Sequence, residues 1–305
     1  MLSLHQLTCF ISVYEHGSLT RAAEEMGYAQ PSVSEQIRGL EKSLGVQLFR
    51  RVGRGVVPTT VAETLRPHAE RTLAAAEDTR RAAQAVKSFE TGTIRFGMFG
   101  TARLYAGAGL VADVLAMHPG VRVELIGQNS SEVAEELRRG RLEAAMIAIH
   151  SVESEGMQVT PVARDELVYI SNDPTRLESP ITPRRLAEAA LVMPETTWRG
   201  TDSIRIILRQ LLHETGANPP TRIEVEDVEI AVELVGLGLA DSVIPKGAAD
   251  QLLPRLAPKA GWVSFRPRIY DTFAIVHRRG ATLSPAAQLM IELATKRMQA
   301  IAQPL

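Results

Sequence analysis

Apolar residues at helical spacing mark three short helices in the first 45 residues of the chain. The first helix is predicted over residues 3–16, and the second follows Ser18, a residue type that caps helices. The third is predicted to begin at Gln30 or Pro31 and to end at Gly45. Two short helices joined by a tight turn are typical of a helix-turn-helix.

The next 40 residues predict a small β-hairpin and then one long helix. Residues 50–57 contain two glycines and read as a wing, and the helix is predicted from Pro58-Thr59 to about Ser88. A helix of about 30 residues spans about 45 Å, and an apolar face of that length is expected to lie against a second copy of the chain. The positions on that face are Leu65, Ala69, Leu73, Ala76, Ala83 and Val86.

From Thr93 onward the pattern changes to short apolar strands that alternate with helices. This alternation indicates a mostly parallel sheet with helices on its faces, and ligands of such sheets bind beyond the carboxyl ends of the strands. Strands are predicted at 93–98, 121–126, 142–149, 167–171, 191–193, 222–225, 242–244 and 272–277. Helices are predicted at 103–117, 130–139, 184–189, 201–215, 227–237 and from residue 285 onward.

The distribution of charge along the chain is compatible with DNA binding, although the net charge alone argues weakly against it. The whole chain of 305 residues has a formal net charge of -1, but residues 1–58 hold six Arg or Lys against five Asp or Glu. Arg50, Arg51 and Arg54 lie within five positions, and DNA phosphates respond to local charge. The single cysteine, Cys9, lies on an apolar helical face and is interpreted as a packing residue.

No pattern in the sequence favours an enzyme, a metal site or a membrane protein. The seven histidines lack metal-ligand spacing, and no phosphate-binding loop or nucleophile elbow is visible. We therefore expect no catalytic residues, no metal and no cofactor. The sequence shows no run of 18 apolar residues and no signal peptide, from which we expect a cytoplasmic protein without a membrane partner.

Two stretches of the first 67 residues are specific to one family. They are Ser18-Leu-Thr-Arg-Ala-Ala23 and Ala29-Gln-Pro-Ser-Val-Ser-Glu-Gln-Ile-Arg-Gly-Leu-Glu-Lys-Ser-Leu-Gly-Val-Gln-Leu-Phe-Arg-Arg51. On these residues, the segment from Leu4 to Pro67 resembles the DNA-binding domain of the LysR-type transcriptional regulators. The chain departs from the family's pattern at Glu35, where a basic residue is common, and at Ala240-Asp241, where glycine and an apolar residue are common.

The resemblance implies the architecture of the whole chain. It implies an α/β fold with an N-terminal winged helix-turn-helix of the all-α type, a long linker helix and two periplasmic-binding-protein-like subdomains. The domains would be residues 1–58 for DNA binding, 59–90 for the linker and dimerisation, and 91–305 for the effector. Within the last, subdomain I would comprise about 91–163 with 268–305, and subdomain II about 164–267.

The N-terminal side chains of the third helix are expected to enter the major groove of DNA. Gln30 and Ser34 are the strongest candidates for reading bases, because both residue types bond base edges and the resemblance supports both. Ser32 is a further candidate, with helix capping as its alternative. Candidates for phosphates or the minor groove, with a solvated basic surface as the alternative, are Arg21, Arg38, Arg50, Arg51 and Arg54.

Small polar residues that open the later helices are expected to face one effector cleft. Gly100 and Thr101 follow the first strand, and the resemblance implies that the polar residue at this place touches the inducer. Helix capping is the alternative for Thr101 and Ser130, and core packing is the alternative for Trp198. The candidate effector-binding residues are Gly100, Thr101, Ser130, Thr196, Trp198 and Ser203.

The predicted effector is a small organic anion, since three arginines lie near the cleft in the sequence and could pair a carboxylate. These are Arg103, Arg199 and Arg205, each of which could also be a surface charge. Asp241 could meet a cationic or hydroxylated group of the ligand, or simply end a strand.

These patterns and the resemblance to the LysR-type regulators together imply a sequence-specific DNA-binding regulator whose activity a small molecule controls. We expect a homodimer or a dimer of dimers on an interrupted palindrome of double-stranded DNA, with RNA polymerase as a further candidate partner. One alternative is a DNA-binding protein with a degenerate, non-sensing C-terminal domain. The other is an enzyme fused to a DNA-binding domain, for which the sequence shows no catalytic constellation.

Overall fold

The computed structural model of the chain describes residues 2–53, 55–84, 92–151, 156–195, 197, 200–213 and 221–304. The chain divides into two compact units. The first comprises residues 1–84 with 138–141, and the second comprises residues 85–137 with 142–305. The long helix after the wing therefore belongs to the same unit as the predicted DNA-binding segment.

Helices, a two-stranded wing and the long helix form the first unit in the predicted order. The elements are α1 (Leu4–His16), α2 (Leu19–Met26), α3 (Gln30–Leu44), β1 (Phe49–Val52), β2 (Gly55–Pro58) and α4 (Thr60–Gln84). The Ser18 side chain caps α2, as predicted, by accepting the Arg21 N–H. Gly17 ends α1 with a φ of 57°, and its carbonyl accepts the Val56 N–H at 2.8 Å, which ties the wing to α1.

The core of the first unit lies where α1, α3 and the start of the wing meet. Phe10 packs against Phe49 with their ring centroids 5.6 Å apart. Cys9 is fully buried, which confirms its packing role. The spacing of apolar residues on α3 predicts Val33, Ile37, Leu40 and Leu44 as its buried face. The first three are buried, but Leu44 is 38% exposed at the end of the helix, so its prediction as a buried residue is wrong.

The apolar face of α4 contacts its own subunit. Ala69 is buried, and Leu65 and Leu73 pack against the core of the first unit. The sequence predicts that this face lies against a second copy, but its first half is covered in part by α1 and the wing strand β2. The side chains of Ala83 and Val86 lie outside the described residues.

A mixed sheet with the strand order β10-β6-β11-β5-β3-β4 forms the frame of the second unit. Its strands are β3 (Thr93–Met98), β4 (Arg122–Ile126), β5 (Ala144–Ala148), β6 (Met157–Ser171), β9 (Ser242–Pro245), β10 (Gly261–Ser264), β11 (Tyr270–Arg278) and β12 (Gln303–Pro304). β3 runs parallel to β4 and β5, while β11 runs antiparallel to β5 and β6. The sheet is therefore less parallel than the sequence predicts. β7 (Leu191–Met193) and β8 (Thr221–Glu224) form a separate parallel pair.

Helices cover this frame. α5 comprises a first turn, Gly100–Ala102, a π-helical turn, Arg103–Gly107, and an α-helix, Ala108–Met117. The other helices are α6 (Ser130–Arg138), α7 (Pro183–Ala187), α8 (Ser203–Leu212), α9 (Val228–Gly236), α10 (Lys246–Leu256) and α11 (Pro285–Ile301). The sequence predicts all of these except α10, and it places the start of α5 three residues too late. None of the helices within the described residues is both long and apolar enough to cross a membrane.

Strand β6 divides the second unit into two halves. Residues 157–166 of β6 pair with β11, and residues 167–171 pair with β9 and β10. The change of partner between Glu166 and Leu167 lies three residues beyond the predicted boundary at 163/164. We call the half that contains β3, β4 and β5 subdomain I, and the half that contains β7, β8, β9 and β10 subdomain II.

Candidate functional site

A cavity of about 170 Å³ lies between the two subdomains. Subdomain I contributes the start of α5 and the loop after β4, with Gly100, Thr101, Arg103, Leu104, Gln128 and Asn129. Subdomain II contributes the segments that follow β7 and β8 and the end of β9, with Pro194, Glu195, Asp202, Ile204, Glu226, Asp227, Val228, Glu229, Ile244 and Pro245. The cavity thus lies beyond the carboxyl ends of strands, where the sequence pattern predicts a ligand site.

Gly100 and Thr101 lie at this cavity, as predicted. Gly100 donates its N–H to the Gln128 carbonyl at 2.7 Å, so this N–H of the helix start is already used. A Cβ at position 100 would lie 3.2 Å from the same oxygen, which explains why glycine suits this close approach. Their role in binding an effector stays a prediction.

The prediction that Ser130 lines the cavity is wrong. Its side chain is 3% exposed, and its hydroxyl accepts the Ala148 N–H at 2.9 Å. The preceding residue, Asn129, caps the helix instead by accepting the Glu132 N–H. Ser130 therefore holds α6 against β5 and presents no side chain to a ligand.

The prediction for Ser203 is wrong for the same physical reason. Ser203 is 2% exposed, and its hydroxyl donates to Asp271 Oδ1 at 2.6 Å. Asp202 provides the cap of α8 by accepting the Arg205 N–H at 2.8 Å, and it is Asp202 that lines the cavity. Thr196, Trp198 and Arg199 lie outside the described residues.

The charge of the cavity is opposite to the one expected for an anionic effector, and the identity of the effector stays a prediction. Among the described residues, five carboxylate side chains and one guanidinium line it. The carboxylates are those of Glu195, Asp202, Glu226, Asp227 and Glu229. A site with this excess of carboxylates repels a carboxylate ligand unless protons or cations enter with it.

Arg205 is hydrogen-bonded to other residues of subdomain II. The sequence predicts this arginine as a possible partner for an anionic ligand. It is 8% exposed, donates to Glu224 Oε1 at 3.1 Å, and donates to the Pro194 carbonyl at 3.1 Å. These contacts fix the loop that precedes Glu195. Arg205 therefore supports the wall of the cavity and does not line it.

Burial and neighbouring acids raise the pKa values of two carboxyl groups in this wall. Desolvation and the charges of Asp202, Asp271 and Glu226 raise the pKa of Glu195 to about 8, while Arg205 opposes the shift. Desolvation raises the pKa of Asp202 to about 6, opposed by the backbone N–H of Arg205. Glu195 also has a φ of 56°, a conformation that favours glycine, so the fold holds this side chain against a local backbone preference.

Asp241 lies away from the cavity and has a structural role. Tyr169 donates its hydroxyl to Asp241 Oδ2 at 2.5 Å, and Arg176 forms an ion pair with the same carboxylate. Desolvation and Asp241 raise the pKa of Tyr169. The departure from the family's pattern at this position is therefore compensated within subdomain II, and contact of Asp241 with a ligand is not supported.

A buried contact beside the cavity, not identified from the sequence, connects the subdomains. Tyr105, one helical turn after Thr101, donates its hydroxyl to Asp165 Oδ2 at 2.5 Å. The same oxygen accepts the Gly247 N–H at 3.0 Å, at the start of α10 in subdomain II. Desolvation by burial is the main cause that raises the pKa values of both Tyr105 and Asp165.

The predicted DNA-binding residues lie around the start of α3 and the wing. Ser32 is exposed and Gln30 is half-buried, while Ser34 is only 6% exposed. Ser34 borders a surface cleft together with Arg38 and Arg51, so a base could reach its hydroxyl only by entering that cleft. This burial weakens the case for Ser34 as a base reader.

The basic candidates are placed to face solvent. Four of them, Arg21, Arg38, Arg50 and Arg51, are exposed, and none of the four forms an ion pair with a described residue. Arg54 lies outside the described residues. The sequence did not identify Glu41, whose carboxylate accepts the Leu48 N–H at 2.7 Å and the Phe49 N–H at 3.3 Å, and so fixes the wing to α3.

Two family models match the chain. Residues 4–63 match the bacterial regulatory helix-turn-helix protein, lysR family, and residues 87–299 match the LysR substrate binding domain. Among curated proteins, the chain is 26% identical to the transcriptional regulator CbbR of Rhodospirillum rubrum, with 94% of each chain covered. It is also 26% identical to the nitrogen assimilation regulatory protein nac of Escherichia coli (strain K12), over 96% of this chain and 94% of that protein.

Solved structures show the same fold. A full-length OxyR variant from Pseudomonas aeruginosa matches with a TM-score of 0.65 and 23% identity, covering 100% of this chain and 97% of that one. Full-length CbnR in complex with its target DNA matches with a TM-score of 0.57 and 21% identity, covering 97% of this chain and 100% of that one.

Proposed function

The chain belongs to the LysR family of DNA-binding transcriptional regulators, and on that premise we propose that a small molecule bound in the cavity controls how the protein binds its operator. The observation that carries this proposal is the cavity itself, which receives side chains from both subdomains. A ligand that touches Thr101 on one side and Glu226 on the other stabilises one relative orientation of the subdomains. That differential binding is the source of control.

The hydrogen bond between Tyr105 and Asp165 links α5, the helix whose start lines the cavity, to the boundary between the subdomains. Thr101 and Tyr105 lie on successive turns of α5, and Asp165 lies on β6, where the strand passes between the subdomains. A ligand that shifts the start of α5 also shifts the Tyr105 hydroxyl relative to Asp165. The hydrogen bond between them is thus placed to respond to occupancy of the cavity.

On the DNA side, we propose a homo-oligomer that places two winged helix-turn-helix units on an interrupted palindrome in the cytoplasm. Residues 1–58 have only a small excess of basic over acidic side chains, so one unit binds phosphates weakly. Two-fold symmetry doubles the contacts and selects a two-fold symmetric site. In the second unit, the polar lining of the cavity supports a ligand-binding sensor over a degenerate, non-sensing domain.

Gel-shift titration on operators selected from genomic fragments tests the DNA side. Gln30→Ala should reduce the discrimination between the operator and a base-substituted operator by about tenfold, since one base contact contributes about 1–3 kcal/mol. Arg51→Ala should weaken binding to both sequences alike, because phosphates carry no sequence information. Arg222→Ala, in subdomain II, is the control and should change neither. Unchanged discrimination by Gln30→Ala contradicts the role of Gln30.

The control by a ligand is tested separately. A compound that binds in the cavity should change the affinity of the full-length protein for its operator or the length of DNA that it protects from nuclease. Binding in the cavity with unchanged operator affinity and an unchanged footprint contradicts the proposed function.

A further inference from the structure

The wall of the cavity differs in charge between its two sides. Subdomain II supplies all five carboxylates, and subdomain I supplies Arg103 and the uncharged Thr101, Gln128 and Asn129. From this arrangement we infer that the effector is a compact organic cation with an ammonium or guanidinium group, which lies against the carboxylates of subdomain II. This inference rests on the proposed function of the cavity as the effector site.

The groups that would bind an anion are already used. The Gly100 N–H at the start of α5 donates to Gln128, and the buried guanidinium of Arg205 donates to Glu224 and Pro194. Among the described residues, this leaves Arg103 as the cationic side chain of the lining. At pH 7 an anionic ligand would therefore meet one guanidinium, four carboxylates and the mostly protonated Glu195, whereas a cation meets an excess of acceptors.

The dimensions and the apolar lining indicate an organic ligand. The cavity of about 170 Å³ is smaller than the about 300–1,000 Å³ of typical pockets for drug-sized molecules. Leu104, Ile204, Val228 and Ile244 supply apolar contacts for a hydrocarbon portion. Within the described residues, no group of three or more His, Cys, Asp or Glu side chains is arranged to hold a metal ion. The arrangement of the carboxylates therefore suits a compact organic cation better than a metal ion.

Protonation in the wall gives the inference a second consequence. The side chain of Glu195 faces the charges of Asp202, Asp271, Glu226 and Arg205, and its pKa of about 8 keeps most of the group protonated at pH 7. A bound cation favours the carboxylate form and lowers that pKa. Binding should therefore release protons at neutral pH, and the affinity should increase as the pH rises from 6.5 to 8.5.

Substitutions at Thr101 test the sign of the potential without a ligand. Thr101→Lys places an ammonium at the cavity, Thr101→Glu a carboxylate and Thr101→Met an uncharged chain. At pH 8 we expect Thr101→Lys to have the highest melting temperature of the three variants, Thr101→Met an intermediate one and Thr101→Glu the lowest. The control is the same pair of changes, to Lys and to Glu, at Thr60, an exposed position at the start of α4. The helix dipole alone favours Glu over Lys at a helix start, so the order of stability at Thr60 should be the reverse of that at Thr101.

Calorimetry with three four-carbon probes tests the ligand class on the full-length protein. The probes are 1,4-diaminobutane, 1,4-butanediol and succinate, which share their length and differ in charge. At pH 8 the diamine should bind at least about tenfold more tightly than succinate, a difference of about 1.4 kcal/mol. Glu229→Gln, which removes one exposed carboxylate of the lining, should weaken the diamine at least about threefold, and the control Glu178→Gln should leave it unchanged.

Three results overturn the inference. They are succinate binding as tightly as the diamine, no heat from the diamine at about 10 mM, and a Thr101→Glu variant as stable as Thr101→Lys. Succinate that binds in the cavity and alters the operator footprint rejects the cation and leaves the proposed function standing. A diamine that binds as expected and leaves operator binding unchanged shows that the cavity prefers a cation and rejects the proposed function.

Discussion

Replacing Glu195 by glutamine should stabilise the protein at neutral and alkaline pH. The folded state raises the pKa of this carboxyl from 4.5 to about 8, because the group is desolvated and faces Asp202, Asp271 and Glu226. Between pH 4.5 and about pH 8, Glu195 is therefore protonated in the native state and ionised in the unfolded chain. Since the native state binds more protons, the free energy of unfolding of the wild type falls as the pH rises through this window.

The size of the effect follows from the shift. One pKa unit corresponds to about 1.4 kcal/mol, so complete ionisation of an isolated Glu195 would cost the native state about 5 kcal/mol. Asp202 shares this charge and has its own pKa raised to about 6, so the two groups divide the repulsion between them. For Glu195→Gln we expect a gain of about 1–3 kcal/mol at pH 8 and no gain near pH 4.

Urea denaturation of the wild type and of Glu195→Gln between pH 4 and pH 9 checks this expectation. Glutamine keeps the length of the side chain and the residue's unfavourable φ, so the comparison isolates the charge. Glu178→Gln, at an exposed position of subdomain II, is the matched control and should show no such pH dependence. A constant difference between the wild type and Glu195→Gln across this range, or a loss of stability at pH 8, refutes the assignment of a buried, repelled carboxyl.

Two further substitutions test contacts of the second unit. Asp241→Ala leaves the buried Tyr169 hydroxyl without its acceptor and should lower the free energy of unfolding by about 1–3 kcal/mol, measured by urea denaturation, with operator affinity unchanged at 20 °C. Tyr105→Phe removes the hydrogen bond to Asp165 and should cost about 1 kcal/mol or more. It should also speed hydrogen exchange at the Gly247 N–H, and unchanged exchange there would argue against a link between the subdomains.

The first unit could be predicted closely because its signals are local. Ser18 caps α2, and Gly17 and Gly45 end helices within a few residues of the apolar positions that define them. The apolar face of α4 carried a weaker signal. Its periodicity predicts that it is buried but does not name the partner, and Leu65 and Leu73 pack on the same subunit.

The second unit was harder to predict where a strand depends on distant partners. The first ten residues of β6 alternate weakly between apolar and polar side chains, and they are strand because β11, more than 100 residues later, pairs with them. Likewise, α10 begins directly after β9 without a polar loop, so the apolar run of the strand conceals the start of the helix.

The candidate site shows the same limit at the level of single hydroxyls. The sequence identifies Thr101, Ser130 and Ser203 equally well as small polar residues at helix starts. Their roles differ because the Ser130 hydroxyl accepts the Ala148 N–H and the Ser203 hydroxyl donates to Asp271. Neither partner can be inferred from local spacing. Thr101 is the one of the three that the structure leaves facing the cavity.

The sign of the cavity's charge depends on the same pairing. Arg205 lies close to the cleft in the sequence, as does Arg103, and nearby arginines alone favour an anion. Folding engages Arg205 with Glu224, whereas the next acids along the chain, Glu226, Asp227 and Glu229, precede or begin α9 and line the cavity. That acidic run at the start of a helix was a visible signal, because acids there interact favourably with the helix dipole and can still face a ligand. The charge of a binding site therefore follows from which charged side chains the fold leaves at its wall, and counting arginines near a cleft gives the wrong sign of that charge when an acid elsewhere in the fold has already paired one of them.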